Sequence, residues 1–159
     1  MITKIISGGQ TGADQGGWNA ADRLGIEKGG YMPAGYRTHT GDRPDFASWV
    51  KCTTSRNYPP RTKLNVLESD ATFIFGRLSS RGSMLTMEYC SMERKKHLYI
   101  PWVNYMTQYT IDIWIDKMKD FFVNNPEVRV LNVAGNREST NPGIFNAVSD
   151  MLVIALQQK

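Results

Sequence analysis

The segment Gly8-Gly9-Gln10-Thr11-Gly12-Ala13-Asp14 sets three glycines, a hydroxyl and a carboxylate close together. An apolar run, Ile2 to Ser7, leads into it and a helical pattern leaves it. A strand that feeds such a turn aims several backbone N–H groups at one small volume, which is how α/β proteins hold a phosphate or another anion. Gly8, Gly9 and Gly12 suit left-handed or tightly packed backbone that penalises a side chain. The pattern is neither GxGxxG nor GxxxxGK[ST], so it carries no specific dinucleotide or triphosphate signature. Thr11 is placed either to bond a ligand or to cap the helix. Asp14, in the first helical turn, favours the helix electrostatically or accepts hydrogen bonds from a ribose, a pterin or an arginine.

Two further polar turns repeat the arrangement. In Gly76-Arg77-Leu78-Ser79-Ser80-Arg81-Gly82-Ser83-Met84-Leu85-Thr86-Met87-Glu88 an apolar strand again gives way to a helix. Gly82, Ser83 and the neighbouring amides would cradle a second anionic group, with Arg81 and Thr86 close by. Glu88, four residues after Met84, is expected on the half-buried face of that helix, either paired with Arg77 or Arg81 or in contact with ligand. The third turn, Ala134 to Gly143, offers Arg137 to a phosphate, Glu138 to orient it and the hydroxyl of Ser139; its structural alternative is to stop a strand and cap a helix. Three polar turns, each after a strand, fit one crevice.

The formal net charge of +4 is concentrated in one place. From Ala34 to Lys63 the basic residues are Arg37, Arg43, Lys51, Arg56, Arg61 and Lys63, against only Asp42 and Asp45, and Tyr36, Phe46, Trp49 and Tyr58 are interleaved with them. Arg56 and Arg61 are therefore candidates to neutralise phosphates, and Tyr31, Tyr36 or Tyr58 to stack on a ring. A solvated basic loop and a single-stranded nucleic-acid surface are the competing readings, the second the less favoured.

These side chains need a scaffold. Short apolar, β-branched runs at Ile2–Ser7, Ala71–Phe75, His97–Trp102 and Val128–Ala134, separated by helix-length segments, predict buried parallel strands joined by crossovers. A shorter strand is expected at Gly30–Met32. Helices are expected over Ala13–Leu24, Lys63–Glu68, Ser83–Arg94, Tyr105–Val123 and Ile144–Leu156. Met84, Leu85, Cys90 and Met92 are assigned partly to the core, and Ile111, Trp114, Ile115, Met118 and Phe122 to the inner stripe of the longest helix. The expected fold is α/β, Rossmann-like, three-layered, with a mostly parallel sheet, and 159 residues suit one domain. The stretch Pro33–Pro60 is too rich in proline for uninterrupted regular structure and is expected to be a functional basic and aromatic loop. Cys52 and Cys90 have no CxxC partner, so no protein-ligated metal is expected; no signal or membrane-spanning segment stands out, which points to the cytoplasm.

Ile5 to Gly17, Gly29 to Gly35, Ser55 to Thr62, Gly82 to Glu88 and Leu131 to Ser139 together resemble the putative molybdenum carrier family, which is related to molybdenum cofactor carriers and more distantly to lysine-decarboxylase-like phosphoribohydrolases. The resemblance implies a Rossmann-like homo-oligomer whose crevice binds a phosphorylated small molecule, either molybdenum cofactor or a nucleotide. It places Gly8, Gly9, Thr11 and Gly12 at one anion-binding turn and Gly82, Ser83, Thr86 and Glu88 at the other. A nucleoside-monophosphate phosphoribohydrolase, with Glu88 catalytic, and a nucleotide sensor are the alternatives; the chain keeps that glutamate but lacks the double glycine of the hydrolases.

Overall fold

The computed structural model describes residues 1–157. Five parallel strands, β1 (Lys4–Ser7), β2 (Glu27–Gly29), β7 (Ala71–Phe75), β8 (Lys96–Ile100) and β9 (Val130–Gly135), form the central sheet in the order β2-β1-β9-β7-β8. Between β2 and β7 lie the short strands β3 (Tyr31–Met32), β4 (Arg37–Thr38), β5 (Gly41–Asp42) and β6 (Lys51–Cys52). The helices are α1 (Ala13–Leu24), α2 (Tyr58–Glu68), α3 (Arg81–Met92), α4 (Gln108–Asn124) and α5 (Ile144–Leu156).

Strand β7, between β9 and β8, is buried along its whole length, which is why its sequence is an unbroken Ala-Thr-Phe-Ile-Phe rather than an alternation. From β1 the chain steps to β2 on one side, whereas from β7 it steps to β8 on the other; right-handed crossovers then require α1 and α3 on opposite faces. In agreement, α5 packs between α1 and α4, while α2 packs on α3. The result is the α/β, Rossmann-like three-layer architecture expected from the sequence. The main core joins Ile5, Phe73, Phe75, Leu131 and Val133 of the sheet to Ile115, Met118, Val148 and Leu152 of the helices.

The helices Ala13–Leu24 and Ile144–Leu156 and the strand Ala71–Phe75 fall where the sequence placed them. Several other expectations are corrected. Helix α2 starts at Tyr58 because Pro59 and Pro60 occupy its first turn, where a missing N–H costs nothing. The expected strand Gly30–Met32 breaks at Gly30, whose φ of 123° turns the chain between β2 and β3. On α3 the buried positions are Ser83, Thr86 and Cys90. Met84 and Met92 are 50% and 69% exposed rather than core-facing, and Glu88 is exposed rather than half-buried.

The stretch 33–60 is pinned by a second, smaller core. Trp18 of α1 meets Phe46 and Trp49 edge-on at 5.2 and 5.6 Å between ring centres, and Met32 and Val50 complete the cluster. Trp18 also donates its indole N–H to the Gly29 carbonyl at 2.8 Å. The aromatics Phe46 and Trp49 therefore hold the segment down, and of its arginines Arg37 reaches Tyr58 while Arg43 and Arg56 pair with Asp45 and Asp42.

Candidate functional site

The three polar turns meet at the carboxyl ends of β1, β9 and β7, and one side chain ties two of them together. Asn136 Oδ1 accepts the Arg77 N–H at 2.6 Å, and its Nδ2 donates to the Arg77 carbonyl at 2.9 Å and to Ser80 Oγ at 3.3 Å. Its Oδ1 also accepts from Asn141 Nδ2 at 3.2 Å. The first turn reaches the third through Gly12. At a φ of 86°, Gly12 presses so close that an added Cβ would lie 2.4 Å from the Asn136 carbonyl oxygen, and the Ala13 N–H donates to that same oxygen at 3.1 Å.

The amides of the first turn are engaged internally. Gly9 N–H donates to Ser7 Oγ at 3.3 Å, Gln10 N–H to Asp14 Oδ2 at 3.1 Å and Thr11 N–H to the Gln10 side-chain oxygen at 3.1 Å. That side-chain oxygen also accepts the His39 N–H at 2.8 Å, so Gln10 clamps the tip of the β4–β5 hairpin onto the turn. Thr11 does not cap α1, whose N-cap is Gly12 without a side-chain hydrogen bond. In the second turn Ser80 caps α3 by accepting the Ser83 N–H at 3.2 Å, and the Thr86 hydroxyl donates to the Gly82 carbonyl at 3.0 Å. Arg81 and Gly82 are exposed there, with open space beyond Gly82 Cα.

The positive charge converges instead on one ring. The guanidinium carbons of Arg37, Arg61 and Arg137 lie 4.8, 5.3 and 5.8 Å from the centre of Tyr58. A hairpin, a helix and the loop after β9 each contribute one of these cations. Arg61 is the most enclosed, its side chain 13% exposed, and its buried Nε has no hydrogen-bond partner. It lies against Gly8, where an added Cβ would come 2.5 Å from the guanidinium carbon, so glycine leaves it this room. Arg137 donates from Nη1 to His39 Nδ1 at 3.0 Å.

Asp14 is the acid of the cluster, with Oδ2 3.9 Å from Arg61 Nη1 and a side chain only 6% exposed. Burial pushes its carboxyl up to about 6, against the opposing pull of Arg61 and of the Gln10 N–H. Burial likewise lowers the Arg61 guanidinium below its ordinary value, opposed by Asp14 and Tyr58 and reinforced by Arg137. A buried arginine that faces two other arginines and one reluctant carboxylate is short of negative charge.

Other sequence candidates lie differently. Arg56 is engaged with Asp42, through Nη2 to Oδ1 at 3.1 Å and Nη1 to Oδ2 at 3.2 Å, and it also donates to the Ala34 carbonyl. Glu138 does not orient Arg137; its carboxylate accepts the Gly143 and Phe145 N–H groups at 2.8 and 3.1 Å and so covers the N-terminus of α5. Ser139 is exposed at the rim of the same loop. Sequence reasoning missed Arg37, His39 and Asn136 as site residues. For Arg37 the available signal was its membership of the basic segment.

Two surface cavities lie away from this cluster. One, of about 270 Å³, sits between α4 and α5; the other, of about 860 Å³, is lined by Ile2, Ile26, Phe122 and Val128 near the amino ends of the strands. Neither gathers charge comparable to the arginine cluster, and charge placement decides where an anion binds. Among the described residues no group of three or more His, Cys, Asp and Glu is placed to hold a metal ion, and no helix is long and apolar enough to cross a membrane.

The fold and the meeting of three strand-end turns define a Rossmann-like protein whose polar turns gather at the carboxyl edge of a parallel sheet. Residues 5–156 match the family described as circularly permutated YpsA SLOG, and the chain belongs to that family. Its fold is similar to that of a crystal structure titled as a putative molybdenum carrier protein from Syntrophus aciditrophicus SB, with a TM-score of 0.86 and 32% identity over 98% of this chain and 96% of that one. No curated protein matches the chain in sequence. The strand order agrees with a permuted topology: moving the last unit, β9–α5, to the front converts it into the 3-2-1-4-5 order of the Rossmann sheet.

Proposed function

We propose that the chain binds a phosphorylated heterocyclic small molecule, with its phosphate among Arg37, Arg61 and Arg137 and its ring against the exposed parts of the crevice. The observation that carries this reading is the convergence of three guanidiniums on Tyr58, with the buried Nε of Arg61 unpartnered. Charge-assisted hydrogen bonds from guanidinium to phosphate are worth about 1.5–3 kcal/mol each, so a phosphate there would dominate recognition. Molybdenum cofactor is the leading cargo, because its pterin carries a phosphate and because the similar crystal structure bears the molybdenum carrier title. Held by its phosphate, such a cargo needs no protein ligand to the metal.

The test is native mass spectrometry of the purified protein with purine and pyrimidine monophosphates and with molybdenum cofactor, following retained ligand and released base. Retention that is lost in an Arg37→Gln/Arg137→Gln double variant supports the reading. Equal retention by that variant and the wild type overturns it, and catalytic release of base would assign hydrolysis instead.

A further inference from the structure

Resting on the phosphate site proposed above, we infer that the group recognised there is a phosphate monoester in its dianionic form, and that Asp14 takes up a proton when it binds. The first half follows from the number of the cations and their separate origins in the fold. Arg37, Arg61 and Arg137 come to Tyr58 from three separate elements, so a group shared by all three must offer several acceptors and more than one negative charge. A monoester has three terminal oxygens and two charges to share among three guanidiniums. A diester has two such oxygens and one charge, and so leaves more of this positive charge unmatched.

The second half follows from the position of Asp14. Its Oδ2 lies 3.9 Å from Arg61 Nη1, and the buried carboxyl accepts a hydrogen bond from the Gln10 N–H. A dianion on the far side of Arg61 makes that guanidinium serve two anions in a poorly solvated place. The charge facing the carboxyl is Arg61 from α2; beyond it, around Tyr58, lie Arg37 from the hairpin and Arg137 from the β9 loop, which donates to His39. The carboxyl already sits near neutrality in its proton affinity, so protonation is the cheapest way to remove the repulsion. Protonated, Asp14 keeps an oxygen to accept the Gln10 N–H and frees Arg61 for the ligand.

The experiment is an NMR titration of the Arg Nε–H resonances with inorganic phosphate, methyl phosphate and dimethyl phosphate, from pH 6.5 to 8.5, in the wild type and Asp14→Asn. Methyl phosphate is expected to shift the Arg61 resonance and to bind at least tenfold more tightly than dimethyl phosphate. At pH 7.5 Asp14→Asn should bind methyl phosphate about three- to thirty-fold more tightly, because it no longer has to take up a proton, and the advantage should grow with pH. Titration of the ligand is common to both proteins and cancels in the comparison. Equal affinity for the monoester and the diester overturns the first half and leaves the phosphate site standing. Parallel pH profiles for the two proteins overturn the second half. Binding without a shift at Arg61, or no binding of any of the three probes, overturns the site itself together with this inference. Arg137→Gln, a partly exposed position, should weaken methyl phosphate at least fivefold without altering the fold.

Discussion

Asp14→Asn should make the ligand-free protein more stable at neutral pH. Burial raises the Asp14 carboxyl from its ordinary 3.8 to about 6, so the folded chain binds a proton there more tightly than the unfolded chain does. The stability this group contributes is therefore fully present below about pH 3.8 and is lost as pH rises through about 6. At 1.36 kcal/mol per pH unit, the displacement amounts to about 3 kcal/mol at pH 7, a value that already includes the attraction of Arg61. Asparagine is isosteric, preserves the acceptor for the Gln10 N–H and never ionises. It should stabilise by about 2–3 kcal/mol at pH 7, roughly 4–12 °C in Tm for a chain of this length, and by less than about 1 kcal/mol at pH 4. Calorimetry or urea unfolding at both pH values, in buffers free of phosphate and sulfate, reads the difference. A variant less stable than the wild type at pH 7, or an equal offset at both pH values, would refute the account of Asp14 as a strained, reluctant anion.

Three other changes probe the site. Asn136→Ala strips the Arg77 backbone of its partners and leaves buried Asn141 one acceptor short, so it should cost about 2–4 kcal/mol in urea unfolding; a loss under about 0.5 kcal/mol would show that the β7 and β9 loops do not depend on it. Gly12→Ala meets the Asn136 carbonyl at 2.4 Å from a φ of 86°, so it should cost at least about 2 kcal/mol and weaken phosphate binding as well. Gly8→Ala should be milder for the fold, because the obstructing atoms belong to the end of Arg61, but should weaken methyl phosphate severalfold by displacing that guanidinium. Unchanged affinity in Gly8→Ala would remove Arg61 from the site.

Elements whose burial repeats locally were legible in the sequence. Ala71–Phe75 is apolar throughout because both faces of β7 are covered, and Ile115 and Met118 mark the inner stripe of α4. The phase of α3 was not legible, because its buried side is made of the small residues Ser83, Thr86 and Cys90 while its methionines face outward. Apolar periodicity therefore points the wrong way there, and it misplaced Glu88. The arginine cluster was only half legible. The excess of basic residues identified the segment, but no spacing along the chain encodes that Arg37, Arg61 and Arg137 meet on Tyr58, since the contact is made by the fold alone.

The permuted strand order bears on why arginines carry the charge at this site. In the Rossmann sheet an anion sits at the N-terminus of the helix after the first strand, held by backbone amides. The equivalent helix here is α5, and Glu138 already bonds the Gly143 and Phe145 amides at its start. At the start of α1, Asp14 and Gln10 take the amides of Gln10 and Thr11. Each carboxylate favours its helix by meeting the positive end of the dipole, and each also repels a phosphate from the position where a dipole would otherwise hold it. Between the two carboxylates, cation side chains are needed to reverse the local sign, and they come from elements outside the sheet: the β4–β5 hairpin, α2 and the loop at Arg137. The aromatic cluster of Trp18, Phe46 and Trp49 anchors the stretch that carries the hairpin, so the packing of that small core and the position of Arg37 are coupled. Carboxylates that serve the helices and arginines of the proposed phosphate site thus lie side by side, and Asp14 is the residue at which the two demands conflict.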